Sequence, residues 1–492
     1  MIDNVSRFQG INPESGSGTL GSAPLSGRLA RAPFRWTRRD QTSLPVTLEG
    51  KLPEWLKGDL VRTAPAVFEL GGWRAQHWFD GLGILFGFSF GEGVSFKQRL
   101  LASEALRDAQ GERFQVASFS TPTRRSWWQR VIKPIAQITD NANVNVVPWQ
   151  GAWLAMTESP HQHLIDGQSL ATRGLYRYED KLPVATLSAH PHFDFGRKAL
   201  VNVASSFGPK NVLRVYSQAS DSRTRKVEGE LVFKRVPYLH SFGLSPRHAV
   251  IIDHPYKVNP LKLLFSNRAF IDPFEWEPSR GTKLWKLDRA SGRWSAYHTE
   301  PLFCFHTANC FDDGDDVVLD FVAYDNPDIV QLLKTESLDR SVPAIAPRFV
   351  RARLKPGRRD VELEPLSQQG FEFPSIAYRT DNGHAYSSIW GTRLAQGAQS
   401  DVDSEVVRVE IGRGEVATFT EPHVTYGEPL FVARPGATRS DDGVILCLGS
   451  HAEQERATLA VLDATTLEPV ARAHVDACLP LGFHGNFLAA RS

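Results

Sequence analysis

Residues 83–101, GILFGFSFGEGVSFKQRLL, contain two short apolar runs separated by a glycine-containing break. Both runs are rich in residue types that favour strands, and glycine is a common breaker between strands. Similar runs recur along the chain, among them GDLVRT (58–63), AWLAMTE (152–158), AVIIDHP (249–255), DVVLDFVAYD (316–325) and GVILCLGS (443–450). The secondary-structure signal is therefore almost entirely that of β-strands.

This recurrence of short strands predicts an all-β fold. A β-propeller or a large sandwich accommodates many short strands, and radial repetition leaves each sheet only short edges. No clear sequence period sets a blade count. Residues 1–30 are rich in Gly, Ser, Pro and Asn and are expected to form a flexible tail. Residues 31–492 are expected to fold as one domain, because no linker-like stretch divides them.

The composition is ordinary for a globular protein. The 492 residues are 41% hydrophobic and 23% charged, with a formal net charge of +1, which argues against nucleic acid as a partner. The sequence shows no secretory signal and no apolar run long enough to span a bilayer. The four cysteines form no CxxC pair and are expected to be reduced. A cytoplasmic protein with no evident protein partner is predicted.

Four of the fifteen histidines share one setting. Each stands beside a strand-like apolar run and next to glycine, proline or small residues: His190 in LSAHPHFD, His240 in VPYLHSFGLSP, His306 in FCFHTANC and His484 in LPLGFHGNF. If strands converge on a propeller axis, ligands so far apart in sequence can meet at one metal. Imidazole suits iron, copper, zinc and nickel, so the residue type does not select the ion. For one histidine alone, a hydrogen-bonded core or loop position is the commoner explanation.

Three acids occur in comparable settings. Glu158 ends AWLAMTE, Glu372 lies in GFEFPSIAY and Glu428 lies in TYGEPLFVARPG. Metal-bound imidazoles usually donate their second N–H to a carboxylate, which fixes the tautomer and the ring orientation. Taken singly, each glutamate is more often a solvated surface residue.

The chain resembles the carotenoid cleavage oxygenase family from about residue 50 to residue 490. The motifs that carry the resemblance follow one another in the family's order: GDLVRTAP with HWFDGLGILFGFSF, ITDNANVNVV, SAHPHFD, YLHSFGLSP, CFHTANCFDDGDDVVLD, FEFPSIAY, YGEPLFVARPGA with DDGVILCL, and GFHGNF. The wording of HSFG, FEFP and TDNANVN is closer to the animal-type branch, which includes β-carotene cleavage enzymes and the retinoid isomerohydrolase.

The resemblance implies a seven-bladed β-propeller, capped by a dome of loops and helices over an axial iron(II) site. It also implies the site residues: the iron ligands His190, His240, His306 and His484, and the glutamates behind them, Glu158, Glu372 and Glu428. Four neutral imidazoles leave the ferrous ion its full charge and two open octahedral positions. The implied activity is oxygenase cleavage of a double bond in a carotenoid or apocarotenoid by O2, giving two carbonyl products.

Other functions stay open at this point. Relatives also cleave stilbenes or phenylpropenes, whose phenols require a few placed polar groups in the pocket. Retinyl-ester isomerohydrolysis uses the same kind of site but is confined to one branch. A non-catalytic lipid-binding propeller is the alternative from another class, and the complete set of histidines and glutamates argues against it.

The sequence departs from the family's wording at two places. FDGLG replaces FDGDG at Leu82, and RTAP replaces RNGP at residues 62–65. Both are expected to lie away from the metal ligands. Among the other histidines, His192 is expected to be unliganded, and His161 and His163 are expected in loops or on the surface.

An apolar polyene substrate is stored in membranes. RRSWWQRVIKPI, within residues 124–135, and NPLKLLFSNRAF, at residues 259–270, combine large apolar side chains with arginine and lysine. Residues 124–135 and 260–270 are therefore expected to form helices that touch a membrane surface, so that substrate need not cross water. The alternative is that both helices are packed inside the dome.

Overall fold

The computed structural model describes residues 32–132, 136–265, 268–338, 345–394 and 403–490. The expected flexible tail, residues 1–30, lies outside the described residues. Within them the all-β expectation is confirmed, because strands form nearly all of the regular structure and the helices are few and short.

Seven sheets of four or five strands carry the fold. In spatial order, sheet 1 contains Ser43–Leu44, Val94–Leu100, Leu82–Phe90, Gly58–Val67 and Gly485–Ala489. Sheet 2 contains Asn145–Trp149, Ala152–Met156, His163–Ile165 and Thr172–Leu175. Sheet 3 contains Thr186–Leu187, Ala199–Ser206, Asn211–Ala219 and Lys226–Phe233, with His192–Asp194 also paired to its second strand.

The remaining four large sheets have the same antiparallel arrangement. Sheet 4 contains Gly243–Leu244, His248–Asp253, Thr282–Asp288 and Trp294–Thr299. Sheet 5 contains Thr307–Asp313, Asp316–Ala323, Arg348–Leu354 and Leu363–Pro365. Sheet 6 contains Glu372–Ser375, Ser388–Leu394, Ser404–Glu410 and Gly414–Thr420. Sheet 7 contains Thr47–Gly50, Pro469–Val475, Ala457–Asp463, Gly443–His451 and Val424–Ala433.

Shorter elements connect these sheets. Three small sheets are formed by Val236–Pro237 with Tyr256–Val258 and Glu275–Trp276, by Glu69–Leu70 with Trp73–Arg74, and by Val116–Ala117 with Gln137–Ile138. The α-helices are Glu104–Gln110, Trp127–Ile132, Pro260–Phe265, Asp328–Leu332, Thr335–Leu338 and Tyr378–Asp381. The 3-10 helices are Ala32–Phe34, Trp78–Asp80 and Pro278–Arg280. Both expected helical segments are thus helical over part of their length. In the described part of the chain, no helix is both long and apolar enough to cross a bilayer.

The inner strands are apolar on both faces because each sheet packs between neighbours. Leu82–Phe90 is buried at almost every position, whereas its outer partner Val94–Leu100 alternates between buried and partly exposed residues. Phe86 and Phe88 of sheet 1 share one apolar cluster with Leu446 of sheet 7. This two-sided burial explains why the sequence shows continuous apolar runs instead of strict alternation.

Sheets 3 and 4 are joined by a buried ion-pair network. Arg289, with a fully buried side chain, donates from Nη1 to Asp194 at 2.8 Å and from Nε to Glu228 at 2.7 Å. Removing one partner of a buried ion pair leaves the opposite charge buried without compensation. We therefore expect Arg289→Met to lower the free energy of unfolding by about 3–5 kcal/mol, measured by urea unfolding followed by tryptophan fluorescence.

Arg197→Met is the matched control for that prediction. Arg197 lies 3.6 Å from the same two carboxylates, but its side chain is 47% exposed. Its loss should cost less than about 1 kcal/mol, because exposed ion pairs contribute little. Equal destabilisation by the two variants would contradict the assignment of the buried network.

Candidate metal centre

The four candidate ligands come from four different sheets. Each histidine immediately precedes, or lies within a few residues of, a strand at the edge of its sheet: His190 before His192–Asp194, His240 before Gly243–Leu244, His306 before Thr307–Asp313 and His484 before Gly485–Ala489. These edge strands belong to sheets 3, 4, 5 and 1.

The three glutamates come from the remaining large sheets. Glu158 follows Ala152–Met156 of sheet 2, Glu372 opens the edge strand of sheet 6, and Glu428 lies within the edge strand of sheet 7. The pairing register shifts next to Glu372 and across Glu428, and Phe373 has a positive φ of 55°. Such bulges re-aim side chains beside functional sites. Every large sheet therefore contributes one residue to the site.

The structure brings the four histidines together. One ring nitrogen of each lies within 4.8 Å of one from each of the others. The Nε2 atoms of His190 and His240 are 2.9 Å apart, and those of His306 and His484 are 3.2 Å apart. All four side chains are buried or nearly so. No other group of at least three histidine, cysteine or acidic side chains in the described residues has this geometry.

The glutamates fix which nitrogen faces the centre. Nδ1 of His240 contacts Glu158, Nδ1 of His306 lies 2.6 Å from Glu372, and Nδ1 of His484 lies 2.7 Å from Glu428. An ionised carboxylate only accepts hydrogen bonds, so each Nδ1 carries the proton and donates it. Each Nε2 then has a free lone pair directed at the other imidazoles.

Burial keeps three of the imidazoles uncharged. It lowers the pKa of His190 well below 6.5, with the neighbouring histidines adding to the effect. Burial likewise lowers the pKa of His240, although Glu158 opposes it, and lowers the pKa of His484 to about 4 against the opposing effect of Glu428. These three rings are neutral at physiological pH, the form in which imidazole binds metals.

Two of the carboxylates are held in their ionised form. Burial pushes the pKa of Glu372 upward, but His306, the Tyr324 hydroxyl and a backbone N–H bring it below 4.5. Burial also raises the pKa of Glu428, and His484, Arg62 and the Gly485 N–H outweigh it. The acids are therefore acceptors for the ring N–H groups, as the tautomer assignment requires.

The donor set fits a divalent transition-metal ion. The lone pairs on Nε2 of His306 and His484 lie 3.2 Å apart with no proton between them, so they repel, and a cation at the centre of the four rings relieves that repulsion. Imidazole–metal bonds are about 2.0–2.1 Å long for zinc, so adjacent nitrogens around one ion are expected about 3 Å apart, as here. Neutral imidazoles with carboxylates behind them form the usual arrangement around such ions.

Two glycines allow the His484 segment to pack against the strand at 58–67. A Cβ on Gly482 would lie 2.1 Å from the carbonyl oxygen of Thr63, and a Cβ on Gly485 would lie 2.5 Å from the Arg62 side chain. The two glycines of the GFHG motif (residues 482–485) are thus explained by the close approach of this segment to the strand at 58–67. The expectation that RTAP lies away from the ligands is wrong, because the backbone N–H of Thr63 donates to the carbonyl of His484 at 3.5 Å, and Arg62 reaches Glu428 at 3.2 Å. Leu82, the other departure, is buried in the apolar core of sheet 1.

A cavity of about 450 Å³ opens beside the histidines. Glu158, His240, His306, Glu372 and His484 form one part of its wall. Aromatic side chains form much of the rest, including Trp78, Phe79, Phe119, Phe305, Phe373 and Phe483. A mostly apolar cavity with a few convergent polar groups is the usual form of a small-molecule site.

Three functional neighbours were not found by sequence reasoning. Tyr238 donates its hydroxyl to Glu158 at 2.8 Å, Tyr324 donates to Glu372 at 2.6 Å, and Arg62 pairs with Glu428. Each is far from its partner in sequence. Tyr238 stands two residues before His240, so its proximity to that ligand was the one available signal.

The remaining histidines lie outside the cluster. His192 donates from Nε2 to the Phe242 carbonyl and accepts at Nδ1 from Tyr378. His161 is partly exposed and lies outside the strands. His163 is buried on a strand and bonded to Asp140, so the expectation of a surface or loop position is wrong for it.

Known proteins match nearly the whole length of this chain. Residues 34–489 match the family model described as retinal pigment epithelial membrane protein, RPE65. The carotenoid isomerooxygenase of Galleria mellonella is 29% identical, covering 91% of this chain and 94% of its own. The mitochondrial carotenoid-cleaving dioxygenase of Homo sapiens is 27% identical, covering 95% of this chain and 90% of its own.

A solved structure shares the fold. Cobalt-substituted apocarotenoid oxygenase from Synechocystis superposes with a TM-score of 0.80 at 24% identity, covering 93% of this chain and 98% of that chain.

Proposed function

The chain belongs to the retinal pigment epithelial membrane protein (RPE65) family, and on this premise we propose that it is a non-heme iron(II) oxygenase, which uses O2 to cleave a double bond of a carotenoid or apocarotenoid into two carbonyl products. The observation that carries the proposal is the cluster of four converging imidazoles, three of which form part of the wall of an aromatic-lined cavity. Two relatives named for carotenoid cleavage or isomerooxygenation support the enzyme class and the substrate.

His190, His240, His306 and His484 are the proposed ligands, and Glu158, Glu372 and Glu428 are proposed to hold three of them. Iron(II) bound there supplies one-electron chemistry toward O2. The three carboxylates accept hydrogen bonds from Nδ1–H of His240, His306 and His484 and keep the Nε2 lone pairs of these rings aimed at one point. Because the rings are locked before metal enters, little ordering is needed on binding.

The cavity is proposed to hold the polyene. Phe305 lies 5.1 Å from the ring of His240, and Phe373 lies 5.6 Å from the ring of His306. These rings make the cavity wall beside the proposed metal site largely apolar, which suits a conjugated chain. The position at which the cavity holds the chain would select the bond that is cleaved.

The seven large sheets are proposed to be the blades of one closed propeller, with the intervening loops and helices as its dome and residues 31–492 as one domain. Gly58–Val67 pairs with Gly485–Ala489 inside sheet 1, which joins the two ends of the described chain. Every blade supplies one residue to the centre, as radial arrangement around an axis requires.

The proposal is tested with iron-loaded protein and a substrate panel. Carotenoids, apocarotenals and stilbenes are incubated with the protein under 18O2, and the products are identified by mass. We expect two carbonyl products, each with one labelled oxygen, from a carotenoid or apocarotenoid, and none from metal-free protein. Cleavage of stilbenes alone would replace the substrate assignment. Stoichiometric iron without any cleavage would reject the enzyme, and failure to bind iron would favour a lipid-binding role.

We also propose that the cavity receives substrate from a membrane surface. In the helix Trp127–Ile132, Trp127, Trp128, Val131 and Ile132 are 56–76% exposed, and Leu261 of the helix Pro260–Phe265 is 60% exposed. Thr123, Ala136 and Leu263, which flank or belong to these helices, line the cavity. This exposure argues against packing inside the dome.

The four buried, free thiols support a reducing, cytoplasmic setting.

Replacing both Trp127 and Trp128 with serine should weaken binding to vesicles of neutral and anionic phospholipids. The two indoles stack on each other at 3.7 Å and are free to enter the interface. Losing two such side chains should reduce co-sedimentation by about tenfold or more, with the iron content unchanged.

Val232→Ser is the control for membrane binding. Val232 is 62% exposed on an outer strand of sheet 3, away from the cavity. Its replacement should leave co-sedimentation unchanged. Wild-type protein that stays in the supernatant with both vesicle types would remove the membrane proposal and leave the oxygenase assignment intact.

A further inference from the structure

The three histidine–glutamate pairs differ in the group behind each carboxylate. Glu158 accepts a hydrogen bond from the Tyr238 hydroxyl, and Glu372 accepts one from the Tyr324 hydroxyl. Glu428 instead faces the guanidinium of Arg62, with Nη1 3.2 Å from Oε2. A phenol satisfies a carboxylate without adding charge, whereas a guanidinium adds a full positive charge.

Burial of the Arg62 guanidinium is energetically unfavourable, and the hydrogen bonds that it makes are few and long. Its side chain is 2% exposed, and its Nε has no hydrogen-bond partner among the described residues. Its other contacts are long, at 3.5 Å to the Glu428 carbonyl and 3.4 Å to the Phe483 carbonyl. Burial of an ion is unfavourable unless its charge is used. Tyrosine serves the other two glutamates, so hydrogen bonding alone does not account for an arginine here.

The net charge around the four histidines gives a reason for an arginine at position 62. The groups that touch the four imidazoles or their carboxylates carry three negative charges from Glu158, Glu372 and Glu428, and one positive charge from Arg62. The surroundings therefore carry two negative charges, which balance a divalent ion. Without Arg62 they would carry three, which balance a trivalent ion.

We propose that Arg62 is a positioning residue that acts through Glu428 and His484 to match the site to a divalent metal, which keeps bound iron in the ferrous state. This inference rests on the proposed function, because it takes iron as the ion in the site. The reaction affected is the one-electron couple between ferric and ferrous iron. Removing a positive charge stabilises the ferric form more than the ferrous form.

The expected effect is moderate and has a definite sign. Because the Arg62 charge is separated from the ligand His484 only by Glu428, it should change the ferric-to-ferrous ratio by about tenfold at an effective dielectric constant of about 20. Arg62→Met should therefore lower the reduction potential, and Glu428→Gln should raise it. The amide introduced by Glu428→Gln would still accept the hydrogen bond from Nδ1–H of His484, since glutamine keeps one carbonyl oxygen.

The test compares the iron-loaded wild type with Arg62→Met, Glu428→Gln, the double variant and Arg62→Lys. Each is titrated with ferricyanide and dithionite under argon, and ferric iron is followed by electron paramagnetic resonance. The double variant restores the wild-type net charge, so its potential should return to that of the wild type. Arg62→Lys keeps the charge and should stay close to the wild type.

A purely structural role for Arg62 gives a different result. The double variant would then be at least as perturbed as the worse single variant, and Arg62→Lys would resemble Arg62→Met; either outcome overturns the inference. If Arg62→Met does not fold, the double variant compared with Glu428→Gln decides the matter. Wild-type protein that binds no iron overturns the proposed function itself, whereas potentials that ignore net charge overturn only the role of Arg62.

Discussion

Replacing His306 with alanine is expected to abolish both iron binding and substrate cleavage while leaving the protein folded. His306 supplies one of the four converging ring nitrogens, and besides its Nδ1 bond to Glu372 an apolar cluster that includes Phe349 and Ile389 holds sheets 5 and 6 together. Loss of a partner behind a ligand already costs about 10–100-fold in metal affinity or activity, so loss of the ligand should reduce cleavage by more than about 100-fold. Iron per chain by mass spectrometry and product formation from a carotenoid measure the effect.

His474→Asn controls for the loss of a buried histidine. His474 is exposed to the same 9% as His306, but it lies on Pro469–Val475 and bonds to Thr458. This variant should keep its iron and its activity, with thermal melting confirming the fold of both proteins. An active, iron-loaded His306→Ala protein would refute the four-histidine centre, and equal iron loss in both variants would point to general destabilisation.

Much of the metal centre could be predicted because its residues occur in recognisable local sequence patterns. His306 sits between a buried aromatic run and a strand, and His484 sits between two glycines required by close backbone packing. The strand runs themselves were visible because sheets packed on both faces need continuous apolar stretches. The sequence did not show which glutamate contacts which histidine. Glu372 lies 66 residues from His306, and the family resemblance placed both in the site without pairing them.

Other features of the site have no recognisable pattern in the local sequence. Thr186–Leu187 and Gly243–Leu244, which flank two ligands, are two residues long, and no periodicity can be read from so short a strand. Tyr324 and Arg62 are ordinary residue types whose roles arise from contacts across sheets. The direction of the side chain at Glu428 depends on a shift of strand register, which is set by the assembled sheet.

Sequence analysis could not assign the residues of the cavity wall. One of these residues allows a second large effect on substrate cleavage to be predicted. Ala185 lines the cavity, and its backbone N–H is bonded to the Ser205 carbonyl at 2.7 Å, so its position is fixed. In Ala185→Trp the indole would occupy space required by the substrate. Because a ligand buries most of its surface in such a site, cleavage should fall by more than about 100-fold, with iron content and melting temperature unchanged.

Ala296→Trp separates cavity filling from the general effect of a large side chain. Ala296 is also partly buried, but it lies on the outer strand of sheet 4 opposite Trp285, outside the cavity wall. This variant should cleave substrate at the wild-type rate. If Ala185→Trp retains full activity on the same carotenoid, the polyene does not use this cavity, and the metal centre must be reached from elsewhere. If it instead cleaves a different bond, the wall at Ala185 sets the position of the chain, because the metal is the same in both proteins.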